Sequence, residues 1–231
     1  MDDGGNALTH AAALGDEEIL RLLLHTGKID LNYCSYRSMA DNWNGITILP
    51  PILTACTARN YVAAAILVDW GAEIHGYCDA NKNTVLHHAC MSGDFNFFRL
   101  CVLHDTSQTK NKEGDWPIHL LAVNKVSCWL SLFASMHPDL TYVNKRGKNA
   151  LHLAVEEELL GNVEVLLHDC DSYRSSLLLR RDHQGQTCLH LAAMRGNCDI
   201  LERLLKEIML DDVCGHDGID CPIDIMDGEG Y

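Results

Sequence analysis

The sequence predicts an all-α fold: a solenoid of short helix-turn-helix units stacked on copies of themselves. Two observations carry this. The stretch Gly185 to Gly196 (Gly-Gln-Thr-Cys-Leu-His-Leu-Ala-Ala-Met-Arg-Gly) reads as one short helix with a start and a stop. A phrase of the same pattern then returns along the chain at near-regular spacing.

The local physics of the phrase is simple. Thr187 suits a helix N-cap, because its hydroxyl accepts from a backbone N–H that the first turn leaves unpaired. Leu189, Ala192 and Ala193 follow at helical spacing, and Gly196 stops the helix in a conformation that other residues adopt only with strain. Ile200, Leu201, Leu204 and Leu205 form a second apolar stripe, and Asp182-His183-Gln184-Gly185 reads as the entering turn. A unit this small cannot bury its own apolar face, so it must stack.

With Leu189 as marker, the equivalent positions are Leu8, Ile52, Leu86, Ile118, Leu151 and, in the tail, Ile223. The steps are 44, 34, 32, 33, 38 and 34 residues, a near-constant period with two insertions. The phrase stands as Asn6-Ala7-Leu8-Thr9, Pro51-Ile52-Leu53, Thr84-Val85-Leu86-His87, Trp116-Pro117-Ile118-His119, Asn149-Ala150-Leu151-His152 and Thr187-Cys188-Leu189-His190. These residues resemble the Thr-Pro-Leu-His-x-Ala signature of the ankyrin-repeat family, which recurs about every 33 residues. The resemblance covers nearly the whole chain. It implies an ankyrin-repeat solenoid, all-α with projecting β-turn or hairpin loops, and a role in gripping another protein.

On this register the chain is one domain, 1–231, with repeats at 1–27, 42–74, 79–105, 111–138, 144–168 and 182–208. Residues 209–231 would be a partial seventh repeat or a C-terminal cap. Repeat one lacks the leading turn, as an N-terminal cap does, with Ile19, Leu20, Leu23 and Leu24 in its second helix. Between Gly27 and Pro51 lies an insertion carrying Tyr33, Tyr36 and Trp43, aromatics that either contact a partner or pack back on the stack. Arg59 stands where repeat two wants its inter-helix glycine, and Lys82 where repeat three wants its turn glycine. In repeat three Phe97 and Phe98 read as core. Repeat four has Trp116 at the capping position and Lys125 at a glycine position, but Pro117 supports a helix start. Repeat five has Glu156, Glu157 and Glu158 where its helix should stop, so the turn is expected to move to Gly161. Residues 169–176 read as a polar loop.

The formal charge is -14 at 231 residues, which disfavours nucleic acid and anionic membrane as partners. No apolar run approaches the roughly 20 residues that span a bilayer. Met1-Asp2-Asp3 opens no signal peptide. Eleven cysteines, an odd number with no Cys-x-x-Cys, read as thiols of a reducing compartment, cytoplasmic or nuclear.

Phosphate loops, dinucleotide fingerprints, nucleophile elbows and His-Glu-x-x-His are absent, so no catalysis, cofactor or small-molecule substrate is expected. His87, His88 and Cys90 are too close along one helix to converge on a metal, and Cys214, His216 and Cys221 lack a clear fourth ligand. His87, His119, His152 and His190 share one repeat position; the resemblance implies that they hydrogen-bond nearby backbone.

Positive charge is concentrated. Lys82, Lys110, Lys112, Lys145, Arg146, Lys148, Arg180 and Arg181, eight of eighteen basic residues, lie in or beside the turns entering repeats three to six. They would form a basic stripe that steers an acidic peptide or protein surface, unless they are simply the exposed charges that any turn carries. By position, the resemblance implies binding through the tips Trp43, Lys82, Asn83, Lys112, Asp115, Trp116, Lys145, Arg146, Lys148, His183 and Gln184. First-helix residues Met91, Ser92, Met194 and Arg195 would complete the concave face. Leu24, Asp30, Leu31 and Asn32 also resemble the pattern at which ankyrin repeats are hydroxylated on asparagine, Leu31 departing from its usual Val or Ile. The main expectation is a scaffold or adaptor; the alternative is a targeting or regulatory arm of a longer enzyme, channel or transcription regulator.

Overall fold

Each apolar stripe becomes one of a pair of antiparallel helices whose buried faces meet. The computed structural model describes residues 6–33, 49–104, 109–136, 140–168 and 174–210. Trp43, most of the aromatic insertion, the Cys214/His216/Cys221 group and the expected seventh repeat lie outside these residues. The described residues contain helices and turns and no strand.

The chain divides into two units, Met1–Lys112 and Glu113–Tyr231. In the first, α1 (Ala7–Leu14), α3 (Pro51–Thr57) and α5 (Val85–Met91) pack in one row, and α2 (Glu17–His25), α4 (Tyr61–Asp69) and α6 (Phe95–His104) in a second. The markers Leu8, Ile52 and Leu86 are wholly buried. So are Phe97 and Phe98, and Tyr61 stacks on Phe97 at 5.7 Å. Ile19 of the expected apolar face is exposed, while Leu20 and Leu24 are buried.

The second unit repeats the arrangement. Its first row is α7 (Pro117–Ala122), α9 (Ala150–Glu156) and α12 (Cys188–Arg195). Its second row is α8 (Ser127–Met136), α10 (Leu160–His168) and α13 (Cys198–Leu210). Helix α7 begins at Pro117, whose missing N–H would have had no helical partner there.

Two expectations are corrected here. In repeat five the turn does not move to Gly161: α9 stops at Glu156, Glu158 takes the left-handed conformation at φ 56°, and Gly161 lies inside α10. Packing of Val155 and Val163, both wholly buried, fixes the helix ends and overrides the local preference for glycine. The polar loop expected at 169–176 instead gives α11 (Arg174–Leu179) in its last part. One helical turn there buries Leu177 and Leu178, and Arg174 Nη1 pairs with Glu207 Oε2 on α13 at 2.9 Å.

Arg59 has φ 63°, the same left-handed region as Gly15, Gly93 and Gly196 at the equivalent helix ends, and Glu158 occupies the same place. A side chain there costs about 1–2 kcal/mol, partly offset by the greater freedom that glycine loses on folding. Arg59→Gly and Glu158→Gly are therefore each expected to raise stability by about 0.5–1 kcal/mol. Urea unfolding of each variant checks this, and a lower midpoint for either would contradict the strain argument.

Candidate functional site

The turns that enter successive repeats are built alike. In repeat three Asp79 N–H donates to Asn83 C=O at 3.0 Å, and Asp79 Oδ1 accepts the N–H groups of Asn81 and Asn83 at 2.8 Å. Asn144 and Asp182 do the same in repeats five and six, each accepting N–H groups two and four residues on. The residue at the bend is left-handed: Lys82 at φ 59°, Gly147 at 76° and Gly185 at 77°. Each such carboxylate or amide folds its own tip, which is why these positions are Asp or Asn.

Within each unit the tips are also tied to one another. Lys112 N–H donates to Asn81 C=O at 2.8 Å in the first unit, and His183 N–H to Arg146 C=O at 2.9 Å in the second. Side chains add Asn111 Nδ2 to Asn83 Oδ1 at 3.1 Å and Asn144 Nδ2 to Asp115 Oδ1 at 2.9 Å. Asn83 in the first unit and Asp115 in the second thus each tie two tips of their own unit together. Trp116 stacks on Tyr142 with ring centroids 4.1 Å apart.

The repeat-position histidines hold turns to helices. His119 Nδ1 accepts the Trp116 N–H at 3.0 Å, and its Nε2–H donates to Lys148 C=O, 29 residues on, at 3.1 Å. His152 Nε2–H donates to Gln186 C=O at 3.2 Å. His87 and His190 each bond their capping threonine, Thr84 and Thr187, at 2.8 Å. Burial holds the imidazoles of His119 and His152 below the ordinary histidine range. His88 turns to the buried carboxylate of Asp79, Nε2 to Oδ2 at 3.1 Å, rather than toward Cys90.

A half-open cavity of about 490 Å³ lies in the second unit between the fifth and sixth turns. Lys145, Arg146, Lys148, Glu156, Asp182, His183 and Gln184 line it. Lys145, Arg146, His183 and Gln184 are exposed, as expected for tips. Lys148 is not: it is 6% exposed, drawn in by Glu156 Oε1 at 2.6 Å and facing Asp182 Oδ2 at 3.9 Å. This corrects its place in an exposed stripe, because two carboxylates on neighbouring repeats offset the cost of burying its charge. Neither carboxylate stands out in the sequence: Asp182 reads only as a turn former, and Glu156 only as one of three glutamates where a helix should stop.

Of the remaining candidates, Met194 is 69% exposed with its sulfur 3.4 Å from Gln186 Nε2, and Arg195 is exposed. In the first unit Lys82, Lys112 and Met91 are exposed. Asn32 Oδ1 accepts the Glu73 N–H at 2.8 Å, so its side chain is engaged between repeats.

Comparison with known proteins bears on this arrangement. The model described as "Ankyrin repeats (3 copies)" matches residues 131–214, and that described as "Ankyrin repeat" matches residues 3–36. The Nuclear factor NF-kappa-B p105 subunit of Gallus gallus is 29% identical over 202 residues, covering 85% of this chain and 20% of the relative. NF-kappa-B inhibitor alpha of Homo sapiens is 34% identical over 100 residues, covering 42% of this chain and 31% of the relative. The chain thus spans less than a third of either relative's length. An ankyrin repeat domain from Acinetobacter baumannii AYE shares the fold with a TM-score of 0.70 at 21% identity, over 87% of this chain and 96% of that one.

Proposed function

Because the chain belongs to the ankyrin-repeat family, we propose that it is a protein-recognition module, a scaffold or adaptor with no reaction of its own, that binds an acidic peptide or surface through turn tips and first helices. One observation carries the acidic preference. In a chain of net charge -14, the exposed tips Lys145 and Arg146 form the rim of a cavity between adjacent turns. Against that background a local pair of cations steers anionic groups to one place. Lys82, Lys112, Asn83 and Met91 in the first unit, and His183, Gln184, Met194 and Arg195 in the second, are proposed as further contacts. Asp115 and Trp116 would act from behind, by fixing the tip. A cytoplasmic or nuclear location fits the buried thiols, whose ionisation burial suppresses, pushing Cys188 up to about 12.

The double variant Lys145→Glu/Arg146→Glu tests this reading. A blocked glutamate-rich peptide, followed by fluorescence anisotropy at low ionic strength, is expected to bind about ten-fold or more weakly, with the helical circular dichroism unchanged. Unchanged affinity would discard the acidic partner.

A second reading is favoured by the lengths of the relatives: this is a targeting or regulatory ankyrin segment of a longer enzyme, channel or transcription regulator, since the chain covers only 20% of the p105 subunit. An antibody raised against the second unit would then detect a product larger than this chain in the cells that make it. A product of this size alone would remove the second reading.

A further inference from the structure

One of the residues lining the cavity between the fifth and sixth turns has an unmet hydrogen-bonding demand. Asp182 is 6% exposed, and its two carboxylate oxygens have different fates. Oδ1 accepts the N–H groups of Gln184 and Gln186, both at 2.9 Å. Oδ2 is buried and has no hydrogen-bond partner. The Lys148 ammonium stands 3.9 Å from it, outside hydrogen-bond range, and donates to Glu156 Oε1. An ammonium has three donors, so Lys148 retains capacity beyond that bond.

The contrast with repeat three shows that this is not a property of the turn. There the equivalent oxygen, Asp79 Oδ2, is bonded by Asn83 Nδ2 and faced by His88 Nε2, both at 3.1 Å. In repeat six the corresponding places are taken by Gln186 and Leu191, and neither bonds Asp182 Oδ2. A buried carboxylate oxygen without a donor is destabilising, and whatever brings a donor to it is bound more tightly for that reason.

We propose that this cavity is a recognition subsite for a primary carboxamide, the side chain of an asparagine or glutamine presented by the acidic segment; the proposal rests on the acidic-partner reading above. A carboxamide has an acceptor and a donor about 2.3 Å apart. It can accept from Lys148 Nζ and donate to Asp182 Oδ2 at once across their 3.9 Å separation. A single hydroxyl oxygen with two arms of about 2.8 Å on that base would be bent to roughly 90°. A carboxylate brings no donor and adds like charge beside Asp182 and Glu156. A cationic tip would have to pass Lys145 and Arg146 at the rim, the same residues that hold the acidic flanks.

The test uses the full chain and labelled peptides with glutamates on either side of one central residue. Acetyl and N-methylamide caps leave no other primary amide. Glutamine at the centre is expected to bind about ten-fold tighter than alanine. Central γ-N,N-dimethylglutamine, which keeps the carbonyl and has no N–H, is expected to fall to the alanine level. This comparison needs no protein variant, so misfolding cannot produce it.

On the protein side, Asp182→Asn swaps the waiting acceptor for a donor. Asparagine is compatible with the turn, because Asn144 Oδ1 already accepts the Arg146 and Lys148 N–H groups at 2.9 and 3.1 Å. Asp182→Asn is expected to bind the glutamine and alanine peptides alike. Lys145→Glu/Arg146→Glu is expected to weaken both peptides and keep their ratio. Equal binding of the two peptides by the unaltered protein, or a glutamine preference that survives Asp182→Asn, overturns the carboxamide subsite and leaves the acidic-partner reading standing. Binding of neither peptide overturns both.

Discussion

Replacing His119 by alanine is expected to cost the second unit about 3–4 kcal/mol. The ring is 1% exposed and joins two repeats. Its Nδ1 accepts the Trp116 N–H at the start of α7, and its Nε2–H donates to the Lys148 carbonyl in the next turn. Alanine leaves both backbone groups buried without these partners, at roughly 1 kcal/mol or more each, and opens a cavity where the ring stood. Hydrogen exchange should show the loss first at the amides of α7 and the turn at Asn144 to Lys148. Exchange as slow as in the unaltered protein would mean the ring is replaceable by water.

His119 also sets an acid limit. Burial lowers the affinity of His119 and His152 for a proton; the Asp115 charge and the carbonyl bonds act on His119 in the opposite sense without reversing the shift. In the unfolded chain both histidines regain a value of about 6.5. Above that pH both are neutral in both states, and stability is full. As pH falls through about 6.5 toward their lower folded values, the unfolded chain binds protons that the folded one resists, and stability declines. His119→Ala is expected to flatten this decline as well as lower its plateau. Urea unfolding between neutral pH and pH 5 measures both, and an unchanged slope would remove His119 from the account.

Asn162→Ala is expected to cost about 2–4 kcal/mol, a large effect for one amide. Asn162 is 2% exposed, and its Nδ2 donates to the carbonyls of Leu121, Ala122 and Asn124 at 3.3, 2.8 and 2.7 Å. The first two carbonyls end α7, which closes at Val123 without a left-handed glycine, and the third lies just past that cap. The amide of a neighbouring repeat therefore does what a glycine cap does elsewhere. Asn60 likewise donates from the next repeat in the first unit, to the Ala12 and Ala13 carbonyls at 3.3 and 2.6 Å, but there α1 also ends on a left-handed glycine, Gly15. Asn162→Asp should be worse than alanine at neutral pH, since it turns a negative charge toward carbonyl oxygens. If Asn162→Asp were tolerated while Asn162→Ala was not, the donor role would be wrong.

Much of the fold could be read directly from residue order. Period, helix starts and stops, and buried markers such as Leu86 and Ile118 all follow from local spacing, because stacking makes each repeat answer to the same short-range rules. The shared histidine position was legible for the same reason. Repeat five departs from that pattern because Glu158 holds a conformation that glycine would favour, between Val155 and Val163 that are both wholly buried.

The candidate site was less legible. Lys145, Arg146, His183 and Gln184 are found at tips because turn position alone exposes them. Lys148 is one residue past the bend, and whether it points to solvent or inward depends on Glu156, eight residues on, and Asp182, thirty-four residues on. The three meet only when repeats five and six stack. The sequence by itself determined the repeat, its two helices, the shared position of its histidines and its charged tips, all set by spacing within one repeat or between like positions. Only the tertiary structure decided that Lys148 is buried, that Asn162 closes another repeat's helix, and that Asp182 keeps an oxygen without a donor. Each of these depends on side chains far apart in the chain, whose chemistry differs from repeat to repeat and follows no period.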